Sequence, residues 1–261
     1  MNNTTIRTFV KDGIARIVMA RPEVRNAFDE NMISEIHYAV SKYSKNSEVR
    51  VIVITGEGTA FSAGADIEWM RKMGNTGIEE NYQDALKLAA MLDSIYRSPK
   101  PTIACVNGPA IGGGTGLVAA CDIAIGVNSS FFSFSEVKIG LVPACIGPYV
   151  IKRVGQGRAG ELFITGRRID AEEAKIIGLL NFTVNDSDME GELKAMTASI
   201  MSSGPNAVAE AKRLVREVPS QTRSEFIEYT ARMIAELRTG EEGKEGTGAF
   251  LDKRRPNWIK S

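Results

Sequence analysis

Two glycine-rich segments, Ser62-Ala63-Gly64-Ala65-Asp66 and Ile111-Gly112-Gly113-Gly114, each follow an apolar run. Small residues let backbone approach a ligand, and main-chain N–H groups at a helix start point outward without an intrahelical acceptor. Two such groups converging on one point make an oxyanion hole, which holds a carbonyl oxygen as it gains negative charge. A helix opening at the second loop adds its dipole to that preference. Either segment alone reads more simply as a tight turn. Glu136, placed between an apolar strand and a loop, is either a working carboxylate or an exposed strand-end charge.

Other chemistries find little support. His37 is the single histidine, so a Ser-His-Asp or Cys-His site would have to use it. It lies among Ile33, Ile36, Val40 and Tyr43, whose spacing is helical, and reads as a residue on the polar side of a surface helix. Cys105, Cys121 and Cys145 show no metal-ligand spacing and read as reduced, buried thiols. Leu117 stands where a dinucleotide-binding loop needs its third glycine, and Gly243-Lys244 is followed by Glu245 rather than Ser or Thr.

The elements that must position the loops form an α/β pattern. A hairpin is expected over 5–19 with its turn at Lys11-Asp12-Gly13, then a helix over 30–45 capped by Asp29. The run 49–55 reads as a strand buried on both faces, and it enters the first glycine loop, with a helical segment following to about residue 97. The pattern recurs: strand 102–106, the second glycine loop, a helix, then strands 123–127 and 131–135. This predicts successive ββα units. From about residue 155 the text turns helical, over 158–165, 171–177, 188–202, 204–216 and 220–239, and 241–247 reads as a loop. The expected division is a core over 1–200 and a helical oligomerisation region over 201–261.

Basic and acidic residues balance at 32 each with no basic block, which argues against nucleic acid or an anionic membrane as partner. No apolar run suits a signal peptide or a membrane span, so a cytoplasmic protein is expected. The sequons at Asn2, Asn3, Asn128 and Asn181 then read as chance.

In order and spacing, several stretches together resemble the enoyl-CoA hydratase/isomerase (crotonase) superfamily. They are Arg21-Pro22 with Asn26-Ala27, AFSAGADIEWM (60–70), KPTIACVNGPAIGGG (100–114), ACDIAI (120–125), FSFSEVKIGLVPACIGPYV (132–150), TGRRIDAEEAKIIGLL (165–180) and GAFLDKRRPNW (248–258). GADIEWM, SEVKIGLVPA and the C-terminal EGTGAFLDKRRPNW are most similar to bacterial methylglutaconyl-CoA hydratase-like members.

The resemblance implies a spiral of ββα units and trimers, or dimers of trimers, built through the C-terminal helices. It implies an acyl-CoA substrate whose thioester carbonyl sits between the N–H groups of Ala65 and Gly113, with no cofactor. No metal is implied, because the oxyanion hole does the Lewis acid's work. CoA contacts would come from Arg25, Ala63, Ala65, Asp66, Ile67, Gly112 and Gly113, with Phe250 and Lys253 reaching a neighbouring subunit's CoA. Two glutamates flank the substrate in the hydratases; Glu136 matches the second, whereas Gly116 stands in place of the first.

Loss of an acid–base group commonly removes about 10²–10⁴ in rate, so the two-glutamate mechanism does not transfer unchanged. The expected activity is hydration of a short or branched 2-enoyl-CoA, with 3-methylglutaconyl-CoA a candidate, by Glu136 with help from Glu68, Asp84, Tyr149 or a held water. The alternatives are double-bond isomerisation by Glu136 alone and acyl-CoA binding without turnover. Lys138, Arg71 and Lys72 are the cations available for a distal carboxylate on the acyl group.

Overall fold

The hairpin turn is set by two left-handed residues, Asp12 (φ 50°) and Gly13 (φ 76°), which suit the twist of a two-residue connection. It joins β1 (Ile6–Lys11) to β2 (Ile14–Met19) with Ile6 opposite Met19 and Lys11 opposite Ile14. These begin a six-stranded sheet of order β1-β2-β3-β4-β6-β9, in which every pairing after the hairpin is parallel. Its other members are β3 (Val51–Gly56), β4 (Thr102–Val106), β6 (Ile123–Val127) and β9 (Phe182–Val184). The computed structural model describes residues 5–259, so the sequons at Asn2 and Asn3 lie outside the described residues.

Helices cover both faces of this sheet, as parallel strands require. On one side α1 (Glu30–Lys45), α3 (Ile78–Arg97) and α4 (Gly113–Ala120) pack onto Ile17, Ile52, Ile54, Ala104 and Val106. On the other, α8 (Met189–Met201) seals Val51, Val53, Ile103 and Ile125 with Leu193. Asp29 caps α1, accepting a hydrogen bond from the Met32 N–H at 2.8 Å, as its type and position predict.

A second sheet, β5 (Ala110–Ile111), β7 (Phe131–Ser133) and β8 (Arg168–Asp170), lies beside the glycine loops. Two ββα repeats are evident: β4–β5–α4, then β6–β7 followed by α5 (Gly147–Val154). In each, the first strand joins the large sheet and the second joins the small one.

Four readings from sequence are corrected. The helical stretch up to residue 97 is two helices, α2 (Ile67–Gly74) and α3, broken at Asn75-Thr76-Gly77. The segment after residue 155, with α6 (Gln156–Thr165) and α7 (Ala171–Ile176), also contains strands β8 and β9, each too short for a periodic signal. Helix α5 was not anticipated, its start being masked by Gly147-Pro148. The largest change is at 241–247, which is the body of a helix, α11 (Glu241–Leu251). Its glycines are packing residues. A Cβ at Gly243 would overlap the Leu237 carbonyl oxygen, and one at Gly246 would lie 2.9 Å from the Trp258 ring.

The last helices attach unequally. In α9 (Pro205–Glu217), Lys212 Nζ meets Asp122 Oδ2 at 2.5 Å and donates to the Lys100 carbonyl, while Arg216 donates to that of Tyr96. By contrast, α10 (Arg223–Thr239) buries only Met233 and α11 only Ala249. Ile227, Ile234, Phe250 and Leu251 on these two helices are exposed.

Candidate active site

Both glycine loops open onto one cavity of about 360 Å³. The first loop is held in place from outside. Asn26, buried and left-handed (φ 55°), donates through Nδ2 to the carbonyls of Glu57 and Ala60, both at 2.9 Å. Ser62 Oγ donates to the Asn26 carbonyl, and the Ala63 N–H donates to that of Arg25. Phe28 grips the loop on both sides of Ala65: its N–H donates to the Gly64 carbonyl, and its carbonyl accepts from the Asp66 N–H.

Beneath this lies an ionic clamp. Arg21 Nη2 is 2.9 Å from Asp66 Oδ2, and Nη1 reaches Asp29 Oδ2 at 3.2 Å and the Ala27 carbonyl at 2.8 Å. Asp66 also caps α2, accepting from the N–H groups of Glu68 and Trp69. Burial pushes its carboxyl up, but these hydrogen bonds outweigh that and hold its pKa below the usual value. Asp66 is therefore engaged with Arg21 and α2, and it does not line the cavity.

The second loop is fixed by β7 and by the first loop, the Gly112 N–H donating to the Ser133 carbonyl and that of Ile111 to Ser62. Gly112 adopts φ 51°, ψ −118°, a conformation that only glycine takes without strain. A Cβ there would also sit 3.0 Å from Glu136 Oε1. The two loops touch: a Cβ built on Gly64 would come 3.5 Å from the Gly113 nitrogen. The N–H groups of Ala65 and Gly113 make no hydrogen bond among the described residues. Two unpaired amide donors thus stand on adjacent strips of backbone.

Glu136 sits on a one-turn 3₁₀ segment, Ser135–Ile139, ended by left-handed Gly140. It is on the cavity wall and is more than half buried, so desolvation raises its pKa above the usual glutamate value. Its Oε2 is sealed and has no hydrogen-bond partner among the described residues. A carboxylate in that state binds a proton readily, and a proton carrier needs that property.

Of the residues expected at the site, the structure brings Ala63, Ala65, Ile67, Gly112, Gly113 and Glu136 to the cavity. Arg25 is exposed and left-handed beside it, contributing its carbonyl to the loop. Phe250 and Lys253 lie exposed on the C-terminal segment and do not line this chain's cavity. Nor do Glu68, Asp84 and Tyr149 line it; Tyr149 packs edge-on against Tyr96, and burial pushes its phenol up to about 12. Lys138, Arg71 and Lys72 are exposed and also outside the lining.

Gly116, in α4, has no open space in front of it: a side chain there would run into Ile146. Most of the remaining wall is apolar, including Ile33, Trp69, Met70, Leu88 and Ile146, with the thiol of Cys145. Sequence reading missed these residues. For those on helices the one available signal was the apolar stripe, which marks burial without saying against what.

Comparison with known proteins agrees with this architecture. A solved structure of a candidate enoyl-CoA hydratase/isomerase (crotonase) from Legionella pneumophila superposes with a TM-score of 0.92 at 41% identity, over 98% of this chain and 99% of that one. An enoyl-CoA hydratase from Shewanella pealeana gives 0.95 at 34% identity, over 98% and 97%. The fold is therefore the crotonase fold. A candidate enoyl-CoA hydratase of Thermus thermophilus is 34% identical over 95% of this chain and 98% of its own length. Residues 10–261 match the enoyl-CoA hydratase/isomerase family. The chain belongs to that family of enzymes.

Proposed function

We propose that the protein adds water across the double bond of a short or branched 2-enoyl-CoA whose acyl end carries no charge. The carrying observation is that two unpaired amide donors, Ala65 and Gly113, share one cavity with the buried carboxylate Glu136. The amides would hold the thioester oxygen. As carboxylate, Glu136 takes a proton from water while the water oxygen bonds to the β-carbon and the alkene electrons move to the thioester oxygen. The resulting acid then protonates the α-carbon, which restores thioester and carboxylate. One carboxylate suffices for this balance, and the reading needs no cofactor.

The acyl end is assigned as uncharged because no Lys or Arg lines the cavity among the described residues. An unpaired carboxylate entering an apolar wall would cost several kcal/mol, on the order of its desolvation penalty. That weighs against methylglutaconyl-type substrates. The CoA would run past Ala63, Ile67 and Arg25, and Phe250 and Lys253 would serve a neighbouring subunit, in keeping with the exposed apolar residues of α10 and α11. A trimer or hexamer follows, checked by light scattering. Among the described residues no helix is long and apolar enough to cross a membrane.

Double-bond isomerisation is the second reading, favoured by Ile146 covering Gly116. Purified protein given crotonyl-CoA, 3-methylglutaconyl-CoA and a 3-enoyl-CoA separates these, with loss of 2-enoyl absorbance and double-bond migration followed independently. Binding of CoA esters with no turnover would defeat both readings.

A further inference from the structure

Gly116 and Ile146 make a contact that no side chain at 116 can share. Gly116 is buried inside α4, and a Cβ built on it would overlap both Cβ and Cγ2 of Ile146. Ile146 is only 3% exposed and faces the cavity. It is also anchored, since its carbonyl accepts from the N–H groups of Tyr149 and Val150 in the first turn of α5. Moving it aside would cost the start of that helix.

We propose that Ile146 is a specificity-determining residue: set against Gly116, it keeps a second carboxylate, and the water such a group would hold, out of the cavity. The inference rests on the enoyl-CoA reading of the site. Among the described residues Glu136 is then the only carboxylate on the wall, with Cys145 the one other titratable lining group. Hydration must then draw its water through Glu136 alone, while double-bond migration needs no water. Ile146 therefore sets the balance between the two.

The packing is tested first, by Gly116→Ala in the wild-type and Ile146→Gly backgrounds. Overpacking against Ile146 should lower the melting temperature by roughly 2–10 °C in the first background and not in the second. An equal loss in both overturns the pairing, whatever the protein's activity. The chemistry is tested by Gly116→Glu/Ile146→Gly, with Gly116→Gln/Ile146→Gly as the neutral control. The Glu variant should raise the ratio of hydration to migration about tenfold or more over Ile146→Gly alone, and add a second ionisation to the pH profile of kcat/KM. A ratio and profile matching the control overturn the proposal. Should the double variant not fold, Ile146→Gly decides: it admits water to the same space, so an unchanged ratio overturns the proposal and a severalfold rise supports it. Wild-type chain inactive on both substrates would defeat the functional reading, and the melting comparison would still decide the pairing.

Discussion

Two segments of this chain, 108–116 and 240–248, are both dense in glycine and use it for opposite ends. In the first, glycine brings backbone up to a cavity: Gly112 takes a left-handed conformation with Glu136 Oε1 against its α-carbon, and the next N–H is left unpaired. In the second, glycine brings one helix up to its neighbours. Gly243 lies against the Leu237 carbonyl and Gly246 against the Trp258 ring. What approaches a glycine therefore decides its use. Activity should depend on the first segment, and stability on the second.

Four measurements test that contrast. The largest effect is expected from Glu136→Gln, which should lower kcat on the preferred enoyl-CoA by about 10²–10⁴ while CoA-ester binding persists. Undiminished hydration would remove Glu136 from its role. Next comes Gly112→Ala, where strain and the approach to Glu136 should displace the Gly113 N–H and cost about 10²–10³ in kcat/KM. Circular dichroism should show that variant still folded.

Gly243→Ala should do the reverse. A better helix former would gain about 1 kcal/mol in an open helix. Here the new Cβ meets a backbone carbonyl that cannot swing away, so overpacking of about 1–3 kcal/mol should win. Denaturant titration should show that loss, with kcat per folded molecule unchanged. Lost turnover at retained stability would erase the distinction between the segments.

The smallest effect concerns pH. Glu136 must be ionised to accept a proton, so activity should fall as pH drops through its raised pKa, above the ~4.3 of a free glutamate. For stability the sign is opposite. The folded chain binds this proton more tightly than the unfolded one, so the contribution is whole below the unfolded pKa and fades as pH rises through the folded one. Glu136→Gln should abolish both limbs. The Gly243→Ala loss should show no such pH dependence.

Much of this was legible in the residues. Asp12-Gly13, Asp29 and the apolar run at 49–55 each carry a local signal, and turn, cap and strand lie where those signals place them. Arg21 and Asn26 were visible only as part of a resemblance. Their work, clamping Asp66 and the 57–60 backbone, joins positions up to 45 residues apart in sequence. No local pattern records such a pairing. The helix at 241–251 was misread for the same reason, because glycine's poor helix propensity was outweighed by packing that the local sequence does not display.

The residues alone, then, fixed which backbone could come close to a ligand and which position carried a carboxylate. Those properties reside in single residues: the missing Cβ of Gly112 and Gly113, and the charge of Glu136. That both loops face one cavity, and that the wall around Glu136 is largely apolar, came only with folding. So did the filling of the space before Gly116 by Ile146, 30 residues away in sequence. Desolvation and steric exclusion depend on what surrounds a group, and those surroundings exist only once the chain has folded.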